Sequence, residues 1–157
     1  LTREQTVAAC AEAELKPWND PHNENEKFTR VKVRNKVLPV MESEIGPGIA
    51  AALSRSAAIL RDDADALDEM AQAVIARVDL KDLDCAVLAE LPRAIRSRIL
   101  RAAIYAAGAP SGSISADHLA AVEALITSWH GQGEVSLPGG VKVARISGRL
   151  SLLARPN

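Results

Sequence analysis

The sequence predicts a mainly α-helical protein, in which a helical bundle-like domain is accompanied by a long linker helix and a C-terminal β-hairpin. Of the 157 residues, 48% are hydrophobic but only 3% are aromatic. The core must therefore be built from Ala, Leu, Ile and Val, a composition that favours close-packed helices. A long helical pattern of apolar residues runs from about Ile49 to Val78. The tail alternates apolar and polar residues about positions 138–140, which is typical of a hairpin.

These patterns divide the chain into three regions. Residues 1–40 contain a first helix, opened by a capping box of Thr2 and Gln5, and then a short basic helix. Residues 41–80 are dominated by the long linker helix. Residues 81–157 hold further helices and end in the predicted hairpin.

The segment from Asp20 to Pro39 carries the strongest local signals for a helix. Asn23 is a favourable N-cap, because its side-chain oxygen can accept a bond from an unpaired N–H of the first turn. Pro39 disfavours helical geometry at Leu38, so we expect the helix to end there. Asn23 is accordingly predicted to be a structural cap.

Two arginines in this segment are candidate binding residues. Helical geometry places Lys27, Arg30 and Arg34 on one arc, with apolar residues on both sides of it. Arg30 and Arg34 then have two interpretations. They pair with carboxylates at a packed junction, or their planar guanidinium groups hold a phosphate or a substrate carboxylate.

A second basic helix is predicted from Leu91 to Ala107, with Pro92 tolerated in its first turn. No acidic residue follows Glu90 within it. Projection of the helix puts two arginines on one side and two on another; these are Arg93 and Arg96, and Arg98 and Arg101. They form either a solvated flank that balances the acidic face of the linker helix or a set of phosphate contacts along an RNA backbone.

Several function classes find no support in the sequence. The net charge of −1 gives no overall attraction to nucleic acid or membrane, so any anion-binding surface must be local. Cys10 and Cys85 are isolated and indicate a reducing cytoplasm. No apolar run reaches the length of a membrane span, and no signal peptide is visible. There is no Gly-rich phosphate loop, H-E-x-x-H or paired C-x-x-C. We therefore predict neither catalytic residues nor a metal site within the chain itself.

The spacing of the first basic segment matches a known pattern of D-x-x-N, an aromatic residue, R-N-x-x-R and a proline. The matching residues here are Asp20, Asn23, Phe28, Arg30, Arg34 and Pro39. In this spacing the chain resembles tRNA(Ile)-lysidine synthetases just after their ATP-pyrophosphatase domain. The resemblance continues through LPRAIRSRILR (91–101), TSWHGQG (127–133) and the LPGG hairpin with GRL (137–150). Val31 replaces the usual Asn, and the S-G-G-x-D-S loop that binds ATP is not in the chain.

The resemblance implies that the parent protein is an ATP-dependent C–N ligase. ATP would adenylate the C2 carbonyl oxygen of the wobble cytidine, C34, in tRNA(Ile) with a CAU anticodon. The ε-amine of free lysine would then attack and form lysidine. ATP and Mg²⁺ are implied as cofactors of the parent enzyme, and we expect this fragment to bind neither and to be inactive alone.

The resemblance also assigns roles to the regions and residues. Residues 1–40 would be the end of the catalytic domain, whose N-terminal part is missing and would be a partner of the fragment. Arg34, ahead of Arg30, would bind substrate, and Asp20 and Asn23 would be structural caps that hold the loop. The arginines Arg93, Arg96, Arg98 and Arg101 would contact tRNA. The expected location is the cytoplasm without membrane contact, and a homodimer is left open. The alternative functions are a stand-alone helical protein-interaction module with structural arginines and an RNA-binding domain without catalysis.

Overall fold

A computed structural model describes residues 3–154 and divides the chain into two compact units, residues 1–58 and 59–157. The α-helices are α1 (Arg3–Glu12), α2 (Thr29–Lys32), α3 (Leu38–Glu44), α4 (Ile49–Ile75), α5 (Cys85–Glu90), α6 (Arg93–Ala106) and α7 (Ala116–Thr127). The strands are β1 (Asp82–Asp84), β2 (Val135–Ser136), β3 (Val141–Ile146) and β4 (Arg149–Ala154). The predicted class, mainly α with a terminal hairpin, is confirmed. The cap predicted at Thr2 lies outside the described residues.

The basic helix of the first unit continues past Pro39 instead of ending before it. Between α2 and α3, residues Val33–Val37 form a π-helical turn, and the N–H of Leu38 donates to the carbonyl oxygen of Val33. A proline in a helix donates no backbone bond and crowds the carbonyl four residues earlier. The π turn is wider than an α turn and gives that carbonyl room. The predicted stop at Leu38 is therefore wrong, and Pro39 lies within α3.

Of the two residues predicted to be caps beside this helix, only Asp20 caps a turn with its side chain. The Asp20 carboxylate accepts the backbone N–H two residues further on at 2.9 Å and caps the 3-10 turn Pro21–Asn23. Asn23 ends that turn, and its own N–H donates to the carbonyl oxygen of Asp20 at 2.9 Å. Because α2 begins only at Thr29, Asn23 does not occupy the N-cap position predicted for it.

Helix α4 begins after positions 46–48, as predicted, and a distant carboxylate caps it. Glu42 accepts backbone N–H groups of Gly48 at 2.6 Å and Ala50 at 2.8 Å. These bonds satisfy donors that the first turn of a helix leaves unpaired. The bonds from Ala50 and Gly48 also lower the pKa of Glu42. Within residues 3–154, neither α4 nor any other helix is both long enough and apolar enough to cross a membrane.

In the second unit, α5, α6 and α7 pack with an antiparallel sheet of strand order β1-β4-β3-β2. Leu83 of β1 pairs with Leu150 of β4, and Val143 of β3 pairs with Leu152. Ala71, near the end of α4, is buried in the same core. The largest fully buried side chains of this core are aliphatic: Leu83, Leu88, Ile99, Leu100, Ile104, Val122, Leu125, Val141, Val143 and Leu150. The aliphatic core follows from the low aromatic content of the sequence.

The predicted hairpin is part of this larger sheet. Residues Pro138–Gly140 form a 3-10 turn that joins β2 to β3. The tight turn between β3 and β4 lies instead at Ser147 and Gly148, whose φ angles are 49° and 81°. Positive φ at both central residues is what a type I′ hairpin requires. Strand β1 was not predicted from the sequence, because its three residues are too few to show a period.

We expect the substitution Gly139→Ala to destabilise the second unit more than Gly148→Ala. Both residues have positive φ, 79° and 81°, so both alanines carry strain of about 1–2 kcal/mol. At Gly139 the new methyl would also lie 2.7 Å from Pro110 Cδ and 3.0 Å from the carbonyl oxygen of Gly108, whereas nothing lies within 4 Å at Gly148. Urea unfolding should show an additional loss of about 1–3 kcal/mol for Gly139→Ala. Equal losses would contradict the close approach of the turn at Gly139 to the residues Gly108 and Pro110.

Candidate nucleic-acid interface

Helix α6 positions the four arginines that the sequence singled out. It begins directly after Pro92, whose φ of −52° suits the entry to a helix. Its apolar side chains recur at helical spacing and are buried; these are Ile95, Ile99, Leu100, Ala103 and Ile104. The arginines between them flank this buried stripe, so their environments differ with their angle around the helix.

Arg96 is an interior residue that binds protein acceptors. It is only 8% exposed. Its Nε and Nη2 donate to Oε1 of Glu123 on α7 at 2.9 and 2.7 Å. Its Nη1 donates to the carbonyl oxygen of Leu91, just after α5, at 3.0 Å. This burial argues against the tRNA contact predicted for Arg96 and gives its guanidinium the role of joining α5, α6 and α7.

The carboxylate of Glu123 accepts hydrogen bonds from both arginines on one side of α6, Arg93 and Arg96. Arg93 donates from Nε to its second oxygen, Oε2, at 3.1 Å. The placement of Arg93 and Arg96 on the same side of the helix agrees with the helical projection. Burial alone would raise the pKa of Glu123, but hydrogen bonds from Arg96 and Arg93 outweigh it and lower the pKa below its ordinary value. Glu123 is therefore the anionic centre of this helix pair.

The other three arginines remain at least partly accessible to solvent, and they differ in how far a carboxylate neutralises their charge. The Arg93 side chain is 77% exposed although it contacts Glu123. Arg98 pairs with Asp68 of α4 and also donates to the carbonyl oxygen of Ala94 at 3.0 Å. Arg101 is exposed and has no carboxylate partner among residues 3–154; its one hydrogen bond there, to a backbone carbonyl, is long at 3.5 Å. Arg101 therefore offers the least neutralised positive charge of α6.

A groove of about 480 Å³ lies between α6 and α7. We call it the α6–α7 groove; its lining residues are Arg93, Ala94, Ser97, Arg101, Ala116, Leu119, Ala120 and Glu123. A second cavity of about 280 Å³ lies beside Asp68 of α4. Ser97 and Arg101 line both. The guanidinium of Arg101 is thus available to a polyanion that follows the exposed side of α6, whereas the hydroxyl of Ser97 already donates to the carbonyl oxygen of Ala94 at 3.2 Å.

The two arginines of the first unit are also exposed. The Arg30 guanidinium carbon lies 4.9 Å from the centroid of the Phe28 ring, a cation–π contact. Arg34 lies in the π-helical turn, and no ion pair among residues 3–154 includes either arginine. Val31, between them, is fully buried. The structural ion pairs that one interpretation required are thus not formed within the described part of the chain.

The basic residues of the sheet have partners within the second unit. Lys142 pairs with Glu134. Arg149 donates from Nε to both carboxylate oxygens of Asp82 at 2.8 Å, and this bond raises the pKa of its guanidinium. Arg149 also reaches Asp84 at 3.3 Å. These cations pair with carboxylates of the sheet itself or of the residue next to it, and they are weaker candidates for a ligand than Arg101.

Two residues of the site were not singled out from the sequence. Glu123 lies between Val122 and Ala124 in a mostly apolar helix whose other acid, Asp117, is in the first turn; its position is a signal for an ion pair but does not identify the partner. Ser97 gave no signal, because a serine on a helix is usually only solvated. Over residues 3–154, no cluster of three or more His, Cys, Asp or Glu side chains could hold a metal ion.

Comparison with known proteins gives a family match within the second unit. Residues 83–151 match the family described as the TilS substrate binding domain. This range runs from β1 into β4, so it contains α5, α6, α7 and the α6–α7 groove. The match therefore covers the part of the chain that carries Arg101, the least neutralised arginine of α6.

Several curated proteins named tRNA(Ile)-lysidine synthase are similar to the chain. The one from Thermobifida fusca is 48% identical over 143 residues, which cover 89% of this chain and 44% of the relative. The one from Streptomyces coelicolor is 45% identical over 154 residues, covering 96% and 43%. The one from Leifsonia xyli is 46% identical over 157 residues, covering 96% and 46%. The chain thus spans less than half the length of these relatives.

We expect Glu123→Gln to destabilise the second unit strongly, because it leaves the buried Arg96 without its counter-ion. Both side chains of the pair are nearly buried, 13% and 10% exposed, and removal of one partner from such a pair costs about 3–5 kcal/mol. Glu134→Gln is the matched control, since its partner Lys142 and Glu134 itself are 45% and 46% exposed. That change should cost less than about 1 kcal/mol in urea unfolding.

The pH dependence of the same variants checks the cause. Because the folded pKa of Glu123 is lowered, its stabilising effect is present above the unfolded pKa of about 4.3 and is lost as pH falls through the folded pKa. The stability difference between the wild type and Glu123→Gln should be constant near neutral pH and shrink in acid. A difference that persists unchanged at the lowest accessible pH would mean that the ion pair is not its source.

Proposed function

We propose, from the match of residues 83–151 to the TilS substrate binding domain family, that the chain is the tRNA-binding part of an ATP-dependent ligase. The parent enzyme attaches lysine to the wobble cytidine, C34, of the tRNA(Ile) CAU anticodon and forms lysidine. The observation that carries this proposal is the agreement between the family range and the unit that bears the α6–α7 groove. The relatives' shared name favours this function over a stand-alone interaction module.

Within the second unit, the accessible arginines of α6 contact the tRNA backbone. Arg101 leads, since it is exposed and no carboxylate among the described residues neutralises it. Arg93 is the second candidate, because its side chain is largely exposed although it contacts Glu123. Arg98 contributes less, because Asp68 already holds it. Such contacts fix the position of an RNA without reading its sequence, so base selection belongs to other groups.

Within the first unit, Arg34 and then Arg30 bind substrate. Their guanidinium groups are exposed and without ion-pair partners in residues 3–154, as a site for a phosphate or for the carboxylate of free lysine requires. The π-helical turn at Arg34 supports this assignment, because such turns are frequent at functional sites. ATP and Mg²⁺ are cofactors of the parent enzyme, and the reaction takes place in the cytoplasm.

We expect Arg101→Ala to weaken tRNA binding and to reduce its salt dependence. Loss of one phosphate contact should lower the magnitude of the slope of log K against log salt by about one. Arg77→Ala is the matched control, because Arg77 is an exposed arginine of the same unit outside the α6–α7 groove. Filter binding between about 50 and 200 mM salt measures both. An unchanged slope for Arg101→Ala would refute the assignment.

We expect Arg34→Ala to lower lysidine formation by the parent-length enzyme about 10- to 100-fold, as loss of a charged hydrogen bond of about 1.5–3 kcal/mol implies. Arg30→Ala should have a smaller effect. Lys32→Ala serves as the control, since Lys32 is an exposed cation one turn or less away. A raised KM for lysine assigns Arg34 to its carboxylate, and a loss of tRNA affinity assigns it to a phosphate. If neither parameter changes, Arg34 is not a substrate-binding residue.

A further inference from the structure

The segment directly after α7 presents an indole ring to solvent. Trp129 is 40% exposed, in a chain that has only two Trp, one Tyr and one Phe. A tryptophan side chain is highly buried on average, because its large ring loses free energy when it remains in water. The core of this unit is aliphatic and closed without Trp129. Trp18 is even more exposed, at 80%, so the distinguishing feature of Trp129 is the way its ring is supported.

Arg145 of β3 holds one face of the Trp129 ring. Its guanidinium carbon lies 5.3 Å from the ring centroid, within cation–π distance. Arg145 is itself fixed, since its Nη1 donates to the carbonyl oxygens of Leu125 at 2.9 Å and Ile126 at 3.4 Å near the end of α7. A cation is favourable at the C-terminus of a helix. Arg145 thus supports the ring of Trp129, and 40% of the surface of this residue remains exposed.

Hydrogen bonds also fix the loop that carries the ring. The side-chain nitrogen of Gln132 donates to the carbonyl oxygens of Ala124 at 3.2 Å and Ser128 at 3.4 Å. The side-chain oxygen of Gln132 accepts the backbone N–H of His130 at 2.9 Å. The loop is therefore tied back onto α7 on both sides of Trp129. A site that is already ordered loses little conformational entropy when a ligand binds.

An aromatic ring beside an arginine is the combination on which unpaired nucleobases stack. The ring belongs to the same unit as the α6–α7 groove, because Trp129 lies two residues past the end of α7, the helix that forms one wall of the groove. We propose that Trp129, supported by Arg145, stacks an unpaired nucleobase of the RNA whose backbone Arg101 and Arg93 contact. This inference rests on the proposed function and adds a base contact to it. We call the ring of Trp129 and its support Arg145 the platform. A base within a duplex has no free face, so the platform selects single-stranded or looped RNA.

Tryptophan fluorescence tests the stacking directly. The variant Trp18→Phe leaves Trp129 as the single tryptophan of the 157-residue chain, and Trp18 is 80% exposed, so its replacement disturbs no packing. The probes are a single-stranded RNA 12-mer, the duplex of the same sequence and a 12-mer of abasic ribose phosphates. Stacking predicts quenching of Trp129 emission by the single strand, with little change from the duplex or the abasic strand.

Binding measurements with the same probes give the energetic check. We expect Trp129→Ala to weaken single-strand binding about tenfold or more, while duplex affinity and the salt slope stay unchanged because the phosphate contacts remain. Trp129→Phe should retain most of the affinity, since it keeps an aromatic face, and it guards against a simple folding defect in the alanine variant. Trp18→Ala is the matched control for loss of an exposed tryptophan.

The outcomes separate this inference from the proposed function. If the wild type binds RNA but Trp129→Ala binds the single strand equally well and no quenching occurs, the platform is refuted and the proposed function stands. Equal losses on single strand and duplex would also refute it and assign the ring to folding or to a protein partner. If the wild-type chain binds none of the RNA probes at about 50 mM salt, both proposals fail.

Discussion

The buried ion pair between Arg96 and Glu123 is the contact on which the geometry of the second unit depends. The Arg96 guanidinium binds the carbonyl groups at the end of α5, belongs to α6 and reaches the carboxylate on α7. Two charges in a low-dielectric interior are tolerated when their hydrogen bonds are also satisfied, and no buried side-chain N or O atom in residues 3–154 lacks a partner. The pair therefore fixes the angle between the helices and the walls of the groove between them.

This arrangement also decides which positive charge reaches solvent. Glu123 neutralises Arg96 completely and Arg93 in part, and Asp68 neutralises Arg98. Arg101 remains, although the chain as a whole carries a net charge of only −1. A polyanion is attracted to local potential, so one unneutralised arginine beside a groove matters more than overall charge. The stability of the unit and the RNA binding proposed for it thus depend on neighbouring arginines of one helix.

The two units differ in how far the sequence could anticipate them. Helix α6 was predictable because its apolar residues repeat at helical spacing, and the projection that paired Arg93 with Arg96 agrees with the structure. The burial of Arg96 was not predictable, since its partner Glu123 lies 27 positions further along the chain. In the first unit, Pro39 predicted a helix end, and the π-helical turn before it overrode that local preference. A single period of 3.6 residues cannot reveal a turn of a different width.

The sequence by itself determined the helical class, the positions of the basic helices, the terminal hairpin and the resemblance to lysidine synthetases. Each of these depends on the order and spacing of residues along the chain, which local backbone geometry converts directly into structure. Tertiary structure alone decided which arginine is buried and which is free, and where the exposed ring of Trp129 is supported. Those outcomes depend on contacts between residues distant in sequence, such as Arg145 with α7. The sequence therefore predicted correctly where the arginines of α6 lie, and packing determined the role of each of them.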